Sequence, residues 1–202
     1  MELIKTPIPH ISVKLDQDLY DYCLSTWPDE YEEINSEGRY NVPVTDMRIV
    51  SELTVITKQA MIQLLPYIIK EYPKWKPNNI KIRFQYGGNI VSDTAYKMRD
   101  WHLDNGDKLI IGLWYFKHPD DTNEGGLHIT NRVDEYYYPY ETNRCLFIPN
   151  LTNAWHKVGD RNKWNYERRF INIIVDQDIF MHDYLRADDN TDNFTHVTNH
   201  ML

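Results

Sequence analysis

The run "KLIIGLWYF", residues 108–116, decides how the rest of the chain is read. Its Ile, Leu, Trp, Tyr and Phe content and its setting between "DNGD" and "HPDD" mark a buried β-strand bounded by turns. Similar runs follow it and precede it: "IKIRFQY" from Ile80, "AYKMRDWHLD" ending at Asp104, "GLHIT", "RCLFIPN" and "RRFINIIV". Turn-rich pieces such as "HPDDTNEGG" and "GDRNKWN" separate them, where a parallel sheet would need crossover helices of ten residues or more. Six or more strands joined in this way favour an antiparallel sandwich or barrel.

Before Ile80 the period changes. Apolar residues at 15, 19, 20 and 23, and again at Leu53, Ile56, Ala60, Leu64 and Ile68, recur at helical spacing. Pro66 lies inside the second pattern and is expected to kink or end it, and Pro73 and Pro77 in "EYPKWKPNN" mark a connection into new structure. The expected fold is therefore mainly β within an α+β class: a jelly roll, or double-stranded β-helix, backed by N-terminal packing helices. One domain spans 1–202, with a helical support region at 1–78, a jelly-roll core at 79–176 and a C-terminal helix or tail at 177–202. The stretch from Asp188 is polar and weakly patterned, and the chain carries no internal repeat.

Composition narrows the functional classes. Against 22 Lys and Arg stand 30 Asp and Glu, a formal charge of −8, which disfavours broad contact with a phosphate backbone. Nucleic acid is thus an unlikely partner, and the local exception is Arg161, Lys163, Arg168 and Arg169. With 42% hydrophobic residues in 202 the chain can fill one sizeable core without cross-links, so Cys23 and Cys145 read as reduced, buried thiols. Residues 1–14 lack the pattern of a signal peptide, and no window approaches a membrane span, so a soluble, cytoplasmic protein without membrane contact is expected. Oligomeric state has no signal in the sequence.

Chemistry concentrates in "WHLDNGD". His102 and Asp104 stand two apart on a predicted strand, where a period of two aims both at one face and turns Trp101 and Leu103 away. A second histidine, His156 in "NAWHKV", begins a later strand 54 residues on. Two imidazoles and a carboxylate form the donor set that holds non-haem ferrous iron on one face. Downstream, "NYERRFINIIV" puts Arg168 and Arg169 at the mouth of the last predicted strand. A guanidinium there can hold the distal carboxylate of a co-substrate dianion bidentately. Only one can point inward: Arg169 shares its face with Ile171, Ile173 and Val175, Arg168 with Phe170, Asn172 and Ile174. Periodicity alone leaves the choice open.

From about Phe84 to Val175 the chain resembles the Fe(II)- and 2-oxoglutarate-dependent dioxygenases, nearest to their prolyl 4-hydroxylase-like branch. "QYGGN", "WHLD", "KLIIGLWYF", "EGGLHI", "RCLFIPN", "NAWHKV" and "RRFINIIV" follow one another in that family's order. The resemblance implies that His102, Asp104 and His156 bind Fe(II). It implies that Arg169, with Arg168 as second choice, binds 2-oxoglutarate together with Tyr115, while Tyr86 and Tyr96 line the pocket near the metal. It further implies O2 as oxidant, ascorbate as an accessory reductant, and hydroxylation of an unactivated C–H bond with release of succinate and CO2. The interval of 11 or 12 residues from His156 to the arginines is slightly longer than is usual in the family, with "DRNKW" as a small insertion. The leading substrate is a peptidyl residue such as proline. Free amino acids or small metabolites, demethylation of a nucleic-acid base and a non-catalytic binding module are the alternatives.

Several residues carry plainer roles. His128 in "GGLHIT" reads as a strand histidine rather than a metal ligand, "DEYYYPY" as either an aromatic edge strand or a substrate loop, and Gly125 and Gly126 as a tight turn requiring positive φ.

Overall fold

In the computed structural model, residues 1–29, 39–77, 79–89, 100–161 and 165–177 are described. Their elements are β1 (Glu2–Ile4), β2 (His10–Lys14), α1 (Gln17–Ser25), β3 (Arg39–Pro43), α2 (Met47–Glu71), β4 (Lys81–Asn89), β5 (Lys108–Tyr115), β6 (Leu127–Thr130), β7 (Glu135–Tyr138), β8 (Arg144–Pro149), β9 (Trp155–Val158) and β10 (Arg168–Asp176). A seven-stranded sheet in the order β1-β2-β8-β5-β10-β4-β3 faces a three-stranded sheet in the order β7-β6-β9, and every pairing is antiparallel. This is the jelly roll that the turn-separated strands predict.

Both helices start on an aspartate. Asp16 accepts from the amides of Asp18 and Leu19, and Asp46 from those of Arg48 and Ile49, which satisfies donors that the first turn leaves over. Along α2, Ile49, Leu53, Thr57, Ala60, Leu64 and Ile68 are buried at steps of three and four, so one stripe enters the core. Pro66 does not end this helix, which runs on to Glu71. Pro66 and Ile62, whose carbonyl loses its usual donor, are both on the solvent side, where water can replace the missing bond.

The N-terminal 78 residues are more than a helical support. β1 and β2 extend the large sheet beyond β8, and β3 closes its other edge on β4. The large sheet sends alternate residues to its two sides. Ile171, Ile173 and Val175 of β10 are fully buried in the main core with the α2 stripe and with Ile110, Trp114 and Phe147. Phe170, Asn172 and Ile174 look the other way, toward the small sheet and the cavity described below.

A second difference lies before β5. The predicted strand "AYKMRDWHLD" falls partly outside the described residues, and over 100–104 it reduces to a single bridge between His102 and His156. Cys23 and Cys145 are free and buried. Burial pushes the Cys23 thiol up to about 12 and the Cys145 thiol higher still. Among the described residues no helix is long and apolar enough to cross a membrane.

Candidate active site

His102, Asp104 and His156 come together: their ligand-capable atoms all lie within 4.8 Å of one another. Backbone pairing does part of this, because His102 N–H donates to His156 O at 3.0 Å and His156 N–H returns to His102 O at 3.1 Å. The imidazole centroids stand 4.3 Å apart. His102 Nδ1 hydrogen-bonds Asp100 O at 2.7 Å and His156 Nδ1 hydrogen-bonds Ala154 O at 3.1 Å. In each ring the carbonyl two residues back thereby fixes Nδ1 as the protonated nitrogen and leaves Nε2 as the donor for a metal.

Asp104 is 4% exposed and bridges two cations or potential cations: His156 Nε2 at 3.0 Å from Oδ2 and Lys108 Nζ at 2.8 Å from Oδ1. Burial alone would raise its carboxyl, but the imidazole and the ammonium outweigh burial and hold it well below the usual carboxylate range. The carboxylate is therefore ionised and fixed, as a ligand needs to be. A nitrogen, nitrogen, oxygen set with oriented imidazoles and an ionised carboxylate fits a divalent first-row metal such as Fe(II).

These three residues form one end of a cavity of about 220 Å³ between the two sheets. At its other end stands Arg168, 2% exposed, with its guanidinium against the rings of Phe170, Tyr115 and Tyr140 at 4.7, 5.3 and 5.6 Å. Nε donates to Gly125 O at 2.7 Å, and Nη1 reaches Asn89 Oδ1 at 3.5 Å. Nη2 and the nearby Tyr115 hydroxyl are both buried, and neither makes a hydrogen bond of standard geometry. Arg168 also interacts with the Tyr115 hydroxyl, and a buried guanidinium edge beside a buried phenol suits a carboxylate, which can accept from both. The residues present thus fit the distal carboxylate of 2-oxoglutarate.

The arginine preference from the sequence is reversed. Arg168 lines the cavity, whereas Arg169 lies on the opposite face of β10 and pairs with Glu167 at 2.8 Å. The all-aliphatic face of β10 belongs to the dry core, and the mixed face with Asn172 belongs to the cavity. Tyr86 also departs from expectation. It is buried against Trp27 with ring centroids 4.8 Å apart, and the cavity-facing residues of its strand are Gln85 and Asn89. Tyr96 lies outside the described residues.

His128 takes no part in the metal cluster and bonds Glu135 Oε1 at 2.5 Å. "DEYYYPY" supplies the edge strand β7. Of these two glycines Gly125 alone has positive φ, at 78°, while Gly126 is required because a Cβ there would sit 2.0 Å from Tyr138 O. The basic group at 161–169 is not a surface patch: Arg161 is buried on Asp121 at 2.7 Å, Arg168 is in the cavity, Arg169 is paired, and Lys163 lies outside the described residues. The residues missed from the sequence are Lys108, Arg39, Asn41, Gln85 and Asn89, all lining the cavity. Arg39 and Asn41 lie in β3, Gln85 and Asn89 bound the stretch "QYGGN" in β4, and Lys108 opens β5, so they are drawn from three strands whose convergence on one cavity the sequence does not announce.

No protein-family model matches the chain, and no characterised protein matches it by sequence. Solved structures do match. A prolyl hydroxylase from Trichoplax adhaerens, solved with a peptide fragment of the hypoxia-inducible-factor oxygen degradation domain, superposes with a TM-score of 0.56 at 12% identity over 90% of this chain and 87% of its own. The collagen prolyl hydroxylase of Paramecium bursaria chlorella virus-1, solved with 2-oxoglutarate, gives 0.55 at 9% identity over 83% and 95%. A Pseudomonas putida prolyl-4-hydroxylase gives 0.54 at 9% over 83% and 92%. The chain has the jelly-roll fold of these oxygenases. At such low identity the shared property is the backbone framework, and the chemistry has to be argued from the side chains that this chain places on it.

Proposed function

We propose that the protein is an Fe(II)- and 2-oxoglutarate-dependent oxygenase that hydroxylates an unactivated C–H bond and releases succinate and CO2. The observation that carries this reading is one cavity with two matched ends. His102, Asp104 and His156 converge at one, and the buried edge of Arg168 with the Tyr115 hydroxyl stands at the other. When bound, iron and 2-oxoglutarate supply the O2 activation that no side chain can provide. The chain's own part is to hold and exclude. His102 and His156 present Nε2, Asp104 presents an ionised oxygen kept in place by Lys108, and Arg168 fixes the far end of the co-substrate. Leu127, Val158, Ile111 and Leu113 line the space between and keep water from the reacting centre.

A peptidyl residue such as proline is the leading substrate, supported by the prolyl hydroxylases of like fold, one of them solved with a peptide. Demethylation of a nucleic-acid base is disfavoured by the −8 charge and by the burial or pairing of the described arginines at 161–169. Anaerobic addition of Fe(II) and 2-oxoglutarate is expected to give a visible charge-transfer band in the wild-type protein and none in His102→Ala. In air the wild type should form succinate. A folded wild-type protein that gives neither band nor succinate would sink the proposal.

A further inference from the structure

The two oxygens of Asp104 have different neighbours. Oδ2 stands 3.0 Å from His156 Nε2, and Oδ1 accepts from Lys108 Nζ at 2.8 Å. Metal bonds of about 2.1 Å at right angles put adjacent donors about 3.0 Å apart, so Oδ2 and Nε2 already have the spacing of two adjacent ligands. The other oxygen is turned toward an ammonium whose place is set by the backbone. A turn at Gly106 and Asp107 brings Lys108 back beside Asp104, with Lys108 N–H donating to Asn105 O at 3.0 Å. Buried Asn150 closes this turn, its Nδ2 donating to Asn105 O at 2.8 Å and to Lys108 O at 2.9 Å. Lys108 then opens β5 and pairs with Asp176 of β10. Asp104 is the one carboxylate among the described residues that line the cavity, so no other acid there competes for the ammonium.

A carboxylate can bind a metal through one oxygen or through both, and the difference is one coordination position. Two imidazoles and a single oxygen leave three positions of an octahedral metal open. A 2-oxo acid chelating through its carboxylate and keto oxygens takes two of them, and one is left for O2. A carboxylate bound through both oxygens fills that last position. Resting on the oxygenase reading above, we propose that Lys108 is a positioning residue that occupies Asp104 Oδ1, confines metal binding to Oδ2 and so keeps a position free for O2. Its loss separates two events that the wild type couples: the co-substrate still binds, and O2 does not. A lysine that merely held the carboxylate in the site would, when lost, weaken metal, co-substrate and O2 together.

The test uses full-length protein with Fe(II) and 2-oxoglutarate under anaerobic conditions. Nitric oxide stands in for O2, because on ferrous iron it gives a paramagnetic resonance signal that reports the open position. Lys108→Met keeps the aliphatic stem and removes the ammonium. It should form the charge-transfer band at a 2-oxoglutarate concentration within about threefold of wild type, while the nitric oxide signal needs about tenfold more gas and succinate formation in air slows about tenfold or more. Lys108→Arg, which restores a cation, should recover part of both losses. Three results overturn the inference: Lys108→Met binding nitric oxide and forming succinate as the wild type does, a folded Lys108→Met losing the band together with the nitric oxide signal, or Lys108→Arg doing no better than Lys108→Met. A second measurement needs no variant. In a crystal structure of the wild type with Mn(II) and 2-oxoglutarate, Oδ2 alone should be on the metal and Oδ1 still on Lys108, and an Asp104 bound through both oxygens overturns the inference as well. A wild-type protein that never forms the band overturns the oxygenase reading itself, and this inference with it.

Discussion

His156 Nε2 lies 3.0 Å from Asp104 Oδ2, although 52 residues separate them along the chain. In the metal-free protein the pair holds the ligand set together, with Lys108 on the other carboxylate oxygen. Asp104→Asn therefore removes the shared partner of two donors, and about 2 kcal/mol of metal-free stability should be lost at pH 7. The pH dependence follows from the sign of the shift. The folded carboxyl sits below its unfolded value, so its contribution is complete above the unfolded pKa of roughly 4 and disappears as pH falls through the lower folded value. Urea midpoints of wild type and variant between pH 3 and 7 should run parallel above that point and approach each other below it. A constant gap down to pH 3 would contradict the assignment.

Arg168 and Arg169 are neighbours with opposite tasks. Arg168 offers a buried Nη2 to the cavity, and Arg169 is one-third exposed on Glu167. Losing a charge-assisted hydrogen bond to a carboxylate costs about 1.5–3 kcal/mol, or roughly 10- to 100-fold in affinity. Arg168→Gln should raise the 2-oxoglutarate concentration for half-maximal charge-transfer absorption by that factor, whereas Arg169→Gln should leave it within threefold. A larger effect at Arg169 would restore the preference drawn from the sequence.

That reversal shows what periodicity can and cannot say. Alternation along "RRFINIIV" divides the strand correctly into two faces, but it does not say which face is dry. Apolar content alone suggests that Ile171, Ile173 and Val175 belong around the site, and they belong instead to the core shared with α2. The candidate metal cluster was legible because His102, Asp104 and His156 lie in short motifs whose order carries information. Arg39 and Asn41 were not, since their place in the cavity depends on β3 pairing with the far edge of β4, a contact between segments about 45 residues apart. The pattern leaves open whether Pro66 kinks α2 or ends it, and the helix runs on because the cost of a helical proline depends on whether the orphaned carbonyl meets water.

Tyr140 secures the start of β10. Its hydroxyl accepts from Arg169 N–H at 2.8 Å and lies 3.1 Å from both Phe116 O and Arg169 O, and burial pushes its pKa upward. Tyr140→Phe keeps the ring but leaves that amide without its acceptor. A loss of about 1–3 kcal/mol should appear in urea denaturation. Because the same strand end carries Arg168, the 2-oxoglutarate requirement should rise as well, while Fe(II) affinity measured without co-substrate should not. A stable variant with unchanged 2-oxoglutarate binding would show that the hydroxyl does not position the strand.

Gly125 and Gly126 are adjacent, yet they should fail in different ways when changed to alanine. At Gly125 the difficulty is conformational: φ is 78°, and the nearest atom to a new Cβ is the flexible Arg161 Cδ at 3.3 Å. A strain of about 1–2 kcal/mol is expected there, together with weaker 2-oxoglutarate binding, because the Gly125 carbonyl orients Arg168 Nε. At Gly126 the obstacle is backbone. A Cβ would stand 2.0 Å from Tyr138 O and 2.8 Å from both Pro139 C and Tyr140 N, atoms that cannot swing aside. Relief requires the start of β6 and the end of β7 to part, so Gly126→Ala should lose about 3 kcal/mol. Urea midpoints of the two variants give the comparison directly, and a Gly126→Ala protein as stable as Gly125→Ala would mean that the open end of the β6–β7 pair is looser than its contacts indicate.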